Sequence, residues 1–283
     1  DRITSEELIP AIRKGTVANK IVPVLCGTAF KNKGVRKLLD AVVLYLPAPT
    51  DLPPVIGHDP DDATKQIIRR AANDEPFSAL AFKVQSDPHT NKLVYFRVYS
   101  GRLEAGSHVF NSSKDRRERI DRILQMHANE REIRPDISAG DIAVAIGLDH
   151  TTTGDTLCDP EHPILLEAIE FPTPVMAISI RPNKQADKDK LGKGLNRLAE
   201  EDPTFIVHVD QTTGETILSG MGELHLEIIV DRLKHEFKVD ALVGPPKVAY
   251  RETILKQVEE TYKHVKQTGG HGQYAHVELV ISP

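Results

Sequence analysis

The chain has 283 residues, with 36 Lys and Arg against 41 Asp and Glu for a formal net charge of -5, and only two cysteines, Cys26 and Cys158. That length exceeds one ordinary domain and fits two or three, while two distant cysteines argue against a disulfide framework or a thiolate zinc site. The mildly acidic balance gives no global pull on nucleic acid, so any such contact must come from local patches, and no apolar run approaches the roughly 20 residues of a membrane helix.

The opening residues, DRITSEELIP, carry neither a basic start nor an apolar stretch and so do not read as a secretory signal. With no initiator Met, the chain is expected to begin inside a longer, cytoplasmic protein. Residues 3–13 read as a short helix, KIVPVLC (20–26) as a continuously apolar strand, and Val35, Leu38, Leu39, Val42 and Leu46 recur at helical spacing. A strand apolar on both faces belongs in a parallel sheet with neighbours. None lies upstream, so residues 1–55 are expected to be the remnant of an α/β domain. LPAPTDLPPV (46–55) closes it, its four prolines favouring an extended linker.

Residues 75–159 change to short β runs. FSALAFKV (77–84), KLVYFRVY (92–99) and DIAVAIGL (141–148) alternate or carry β-branched and aromatic residues, and glycines 101, 106, 140, 147 and 154 mark turns. A small closed β-barrel is expected. Residues 161–254 then count as strand (175–180), helix (Leu191, Leu195, Leu198), strand (Phe205, Val207, Val209), turn (211–215), strand (216–219), helix (Leu226, Ile229, Val230, Leu233, Phe237) and strand (239–243). The order βαββαβ is that of a ferredoxin-like sandwich. Residues 255–283 hold two strand-like segments around a Gly-rich turn, the truncated start of a further α+β piece.

Nucleotide motifs fail on inspection. The only GxxxxG spacing, Gly101 and Gly106, is followed by Ser107 and His108 rather than Lys and Ser or Thr. In SGMGELHLE (219–227), Gly220 and Gly222 are followed by His225 where a dinucleotide fingerprint needs its third glycine. His225 and Glu227 point to different sides of a helix and His235 is ten residues on, which does not suit a metal. Gly220 and Gly222 therefore read as a structural strand-to-helix turn, with Glu223 at the positive end of the helix dipole. No context such as GxSxG selects a catalytic set, and none is assigned. Two basic runs remain, SSKDRRERIDRI (112–123) and RPNKQADKDKLGKGLNR (181–197). Interspersed acids favour a solvated face; phosphate contact with a structured RNA is the sharper reading, through Lys114, Arg116, Arg117, Arg119 and Arg122.

At this point the chain resembles translation elongation factor G over essentially its whole length. The resemblance is carried by PVLCGTAFKNKGVRKLLDAVVLYLPAPTDLP (23–53), GDTLCD (154–159), KLGKGLNRLAEEDPTF (190–205), SGMGELHLEIIVDRL (219–233), PPKVAYRETI (245–254) and KQTGGHGQYAHV (266–277). It implies a GTP-binding-domain tail at 1–55, the second-domain barrel at 75–159, the third domain at 161–254 and the start of the fourth at 255–283. CGTA matches the motif in which backbone at Thr28 and Ala29 recognises guanine. Here it stands without the phosphate loop, the magnesium ligands and the base-specifying Asp. The resemblance thus implies GTP and Mg2+ as cofactors of a longer GTP hydrolase but no cofactor and no hydrolysis in this chain alone. It also implies the ribosome (rRNA and ribosomal proteins) as partner, with tRNA and mRNA engaged indirectly, a monomer, no membrane, and a part in translocation. A recycling or tetracycline-protection relative, and a free-standing RNA-binding module without GTPase activity, are the alternatives. His271 stands where Arg is more usual in the family and Ala275 where Gly is.

Overall fold

The computed structural model describes residues 3–87, 90–128, 130–248, 252–267, 269–270 and 272–283. Near the N-terminus, α1 (Ser5–Val17) starts at Thr4, whose N–H donates to the Glu7 carboxylate at 3.0 Å, a capping arrangement that satisfies one of the donors a helix start leaves open. α2 (Val35–Tyr45) follows Gly34. The Arg13 guanidinium of α1 gathers the carbonyls at the end of α2, donating to Leu44 O at 2.9 Å and Leu46 O at 3.2 Å, and pairs with Asp51 at 2.5 Å. Between the helices, the strand expected at 20–26 is absent. Strand identity comes from ladder hydrogen bonds, and this segment has no neighbour to supply them; Val22 and Val24 stay more than four-fifths exposed.

The second body begins earlier than its expected start at 75. A hairpin of β1 (Val55–His58) and β2 (Gln66–Arg69) packs Val55 and Ile67 against Cys158, Ile164 and Leu166. The main strands are β3 (Ser78–Asp87), β4 (Asn91–Ser100), β5 (Arg102–Glu104), β6 (His108–Asn111), β7 (Arg116–Arg119), β8 (Arg122–His127), β9 (Glu130–Arg134), β10 (Asp136–Ser138), β11 (Ile142–Ile146) and β12 (Thr156–Cys158). One antiparallel ladder runs β7-β6-β12-β3-β4-β11-β8-β9, and β5 pairs β10 separately. The ladder coils around a core that includes Val94, Phe96, Val98, Val109, Ile123 and Leu157. Its ends, β7 and β9, do not pair with each other, so the expected closed barrel is open as a hydrogen-bonded ladder.

The third body is the anticipated sandwich: β13 (Met176–Pro182), α3 (Lys188–Glu201), β14 (Ile206–Val209), β15 (Thr216–Gly220), α4 (Glu223–Glu236) and β16 (Ala241–Gly244). The sheet order is β14-β15-β13-β16, all antiparallel. Leu191, Leu195 and Leu198 from α3 and Leu226, Ile229 and Leu233 from α4 meet Ile180, Phe205 and Leu218 in one core. Gly194 lets the helices approach, since a Cβ there would lie 2.8 Å from Leu233 Cδ2. The chain ends in a hairpin, β17 (Val258–Gln267) with β18 (Gly272–Ile281), nearly all of it exposed. Among the described residues no helix is long and apolar enough to cross a membrane.

Candidate functional site

The five cations proposed for RNA contact do not form one surface. Lys114 is consumed internally: its ammonium donates to His150 O at 2.7 Å and Thr152 Oγ1 at 2.6 Å, and lies 3.0 Å from Asp155 Oδ2. Around it, the buried Asn111 Nδ2 donates to Asp155 at 2.9 Å, and the buried Glu118 accepts the His150 N–H at 2.8 Å and the Thr151 hydroxyl at 2.5 Å. Every member finds a partner, as buried polar groups require. This network ties the β6–β7 turn to the loop before β12, which gives GDTLCD a structural reason. Arg116 shares its strand face with the buried Glu118, and Arg117 and Arg119 point to the other face, opposite Phe110 and His108. Arg119 is partly held, its Nε donating to Gly106 O at 3.1 Å. Arg122 lies on β8, between β11 and β9. Arg116, Arg117 and Arg122 are exposed, with no carboxylate partner among the described residues.

The turn in SGMGELHLE is built by packing. A Cβ on Gly220 would lie 2.8 Å from Leu226 Cδ2 and 3.1 Å from His225 Nδ1, whereas Gly222 faces open space in an extended conformation. Gly220 is therefore the position that demands glycine. His225 Nδ1 accepts the Met221 N–H at 3.1 Å, which puts the ring proton on Nε2. Nε2 sits 2.9 Å from Asp202 Oδ2, at ion-pair distance though off the line of a good hydrogen bond. Asp202 in turn accepts the Thr204 N–H and hydroxyl at 2.8 and 2.6 Å. His235 turns away to Asp231 and Glu227 to solvent, so the three do not converge.

Thr28 and Ala29 lie in an exposed loop. Thr28 exchanges backbone hydrogen bonds with Lys33 at 3.0 and 3.1 Å, and Ala29–Lys31 form a single tight turn ending at Asn32. Ala275 pairs His264 in the terminal hairpin; His271 lies outside the described residues.

Sequence reasoning passed over the acidic end of α3. Glu200 and Glu201 close this helix and Asp202 follows, with no basic residue in its last turn. Carboxylates are unfavourable at the negative end of a helix dipole, and that mismatch was the available signal. Arg232 of α4 answers it, 2.8 Å from Glu201 and 2.6 Å from Glu236; the hydrogen bonds to Glu236, then Glu201, push its pKa up against partial burial.

Three stretches of the chain match known families. Residues 91–158 match the model described as Elongation factor Tu domain 2, residues 171–245 that for Elongation Factor G, domain III, and residues 246–283 that for Elongation factor G, domain IV. A crystal structure of a protein from Thermus thermophilus is similar at 30% sequence identity and a TM-score of 0.72, with 98% of this chain and 39% of that chain covered. The present chain thus spans well under half the length of that relative.

Proposed function

We propose, from a chain that is elongation factor G-like through barrel, sandwich and terminal hairpin, that it is the coupling body of a translational GTPase that moves tRNA and mRNA on the ribosome. The observation that carries this reading is the succession itself: a Tu-type second domain followed directly by elongation factor G third and fourth domains. Its partner would be the ribosome, approached through local cations on a chain of net charge -5, with Arg116, Arg117 and Arg122 the members of the predicted set that are exposed and have no carboxylate partner among the described residues. GTP and Mg2+ would be handled by parts of a longer protein, with the Thr28–Ala29 loop one contact to the base. The sandwich would connect the nucleotide-handling parts to the fourth domain.

The test is sedimentation of the purified chain with small ribosomal subunits across a salt series. Binding that weakens steeply with salt supports docking; no binding at low salt refutes it. In parallel, titration with a fluorescent GTP analogue should give no saturable signal at micromolar concentrations, and saturation there would overturn the division of labour.

A further inference from the structure

The barrel and the sandwich meet through a small polar contact between the β3–β4 hairpin and the end of α3. Glu201 Oε1 accepts the backbone N–H of Ser86 at 2.6 Å, 115 residues away in sequence. Lys92 Nζ donates to Asp149 O at 2.9 Å and lies 3.3 Å from Glu200 Oε2. Ser86 and Lys92 are themselves directly opposed partners in the β3–β4 register. One cross-strand pair therefore grips two consecutive residues of one helix end. Glu201 and Lys92 are both well covered, with side chains 11% exposed. No buried apolar cluster among the described residues contains members of both bodies.

The geometry points to a releasable electrostatic latch at this joint, in which the acidic end of α3 is stabilised either by the barrel or by nothing on that side. Closed, Glu200 has Lys92, and Glu201 divides its two oxygens between the Ser86 N–H and Arg232. Open, the end of α3 keeps its partners within the sandwich, Arg232 for Glu201 and Thr204 with the nearby His225 for Asp202, while Glu200 faces the negative helix end unneutralised. The latch has two discrete states and no apolar seal, as an element that switches domain orientation requires. Arg232 belongs to the SGMGELHLEIIVDRL segment, so the state of the joint reaches α4 directly through Glu201 and, at 2.6 Å, Glu236. The inference concerns the joint within this chain and stands whether or not the chain works on the ribosome.

The Ser86 amide reports the latch, because Glu201 is its acceptor. Amide hydrogen exchange by NMR on the full chain should show Ser86 protected at low salt. Replacing Glu201 by Ala should speed its exchange about tenfold or more, the loss expected for a hydrogen bond to a charged acceptor, while Val94 in the barrel core and Leu233 in the sandwich core exchange as before. High salt should move the wild-type rate the same way. Should Glu201→Ala loosen the sandwich itself, Lys92→Met changes only the barrel side and should still accelerate Ser86 with Leu233 unchanged. A Ser86 amide that exchanges as an open one in the wild type, or keeps its protection in both variants, would overturn the latch.

Discussion

Replacing Lys114 by Met separates a structural cation from an RNA-binding one. The ammonium has three oxygens within 3.0 Å, yet its side chain is 34% exposed, so water replaces some of what is lost. Charged hydrogen bonds contribute about 1.5–3 kcal/mol each when dry, and screening at this exposure brings the whole substitution to about 1–3 kcal/mol. Asp155, buried and still bonded to Asn111 and the Thr152 N–H, is left without its cation. Urea unfolding followed by far-ultraviolet circular dichroism should show the barrel destabilised by that amount. The salt slope of small-subunit binding should stay the same. The Arg116→Gln/Arg117→Gln pair should do the reverse: stability within about 0.5 kcal/mol of wild type and a slope lower by about 1–2, since each phosphate contact contributes roughly 0.7–0.9. If Lys114→Met leaves stability untouched and lowers the slope by about 1, the internal role derived for Lys114 is wrong.

Three further outcomes are expected. Gly220→Ala should cost the sandwich about 1–3 kcal/mol by overpacking against Leu226, whereas Gly222→Ala should be mild; equal melting temperatures for the two variants would contradict the packing account. Burial pushes the Cys158 thiol pKa up, so at pH 8 the folded chain should react with Ellman's reagent at exposed Cys26 alone, the second thiol appearing only on denaturation. Asp210 accepts the Thr213 and Thr212 N–H groups, each at 2.8 Å, and these hold its carboxyl below the usual aspartate range. The carboxylate form therefore supports the β14–β15 turn above the ordinary carboxylate range, and the support is lost as pH falls through the depressed value. The Thr213 amide shift should titrate with a midpoint below that of an ordinary exposed aspartate, and a midpoint at or above it would contradict the hydrogen-bond account.

Much of this was readable because it is local. Leu191, Leu195 and Leu198 carry their helix in their spacing, and Phe205, Val207 and Val209 their strand, so the sandwich could be counted off the chain. What was hidden depends on distant partners. KIVPVLC is apolar and β-branched like a strand, but Pro23 cannot donate to a ladder and the segment has nothing to pair with. Barrel closure depends on how two strands at opposite ends of a ladder meet, which no local pattern encodes. Lys114 and Arg117 look alike in a charge run, and only the fold gives one of them oxygen partners within the barrel. The period-2 pattern of RRER even concealed that Glu118, flanked by arginines, is the buried member. The acids ending α3 were legible as a violation of the helix dipole, but their partners in the barrel were not.

The hairpin at residues 55–69 also determines how tension would pass through the chain. His58 and Leu165 exchange backbone hydrogen bonds, both at 2.8 Å, where the polypeptide enters and leaves the barrel. A pull between the N-terminal helices and the sandwich is therefore shared between this two-bond bridge, the Ser112 and Thr156 hydroxyls that hold Ile164 O and the Leu166 N–H, and the contact of Glu201 with the Ser86 N–H. The bridge is antiparallel and loaded from its open end, so its two bonds are strained one after the other. The entrance and exit of the barrel are thus clamped to each other and to its wall, so the load enters the barrel at that clamp rather than being spread along the linker.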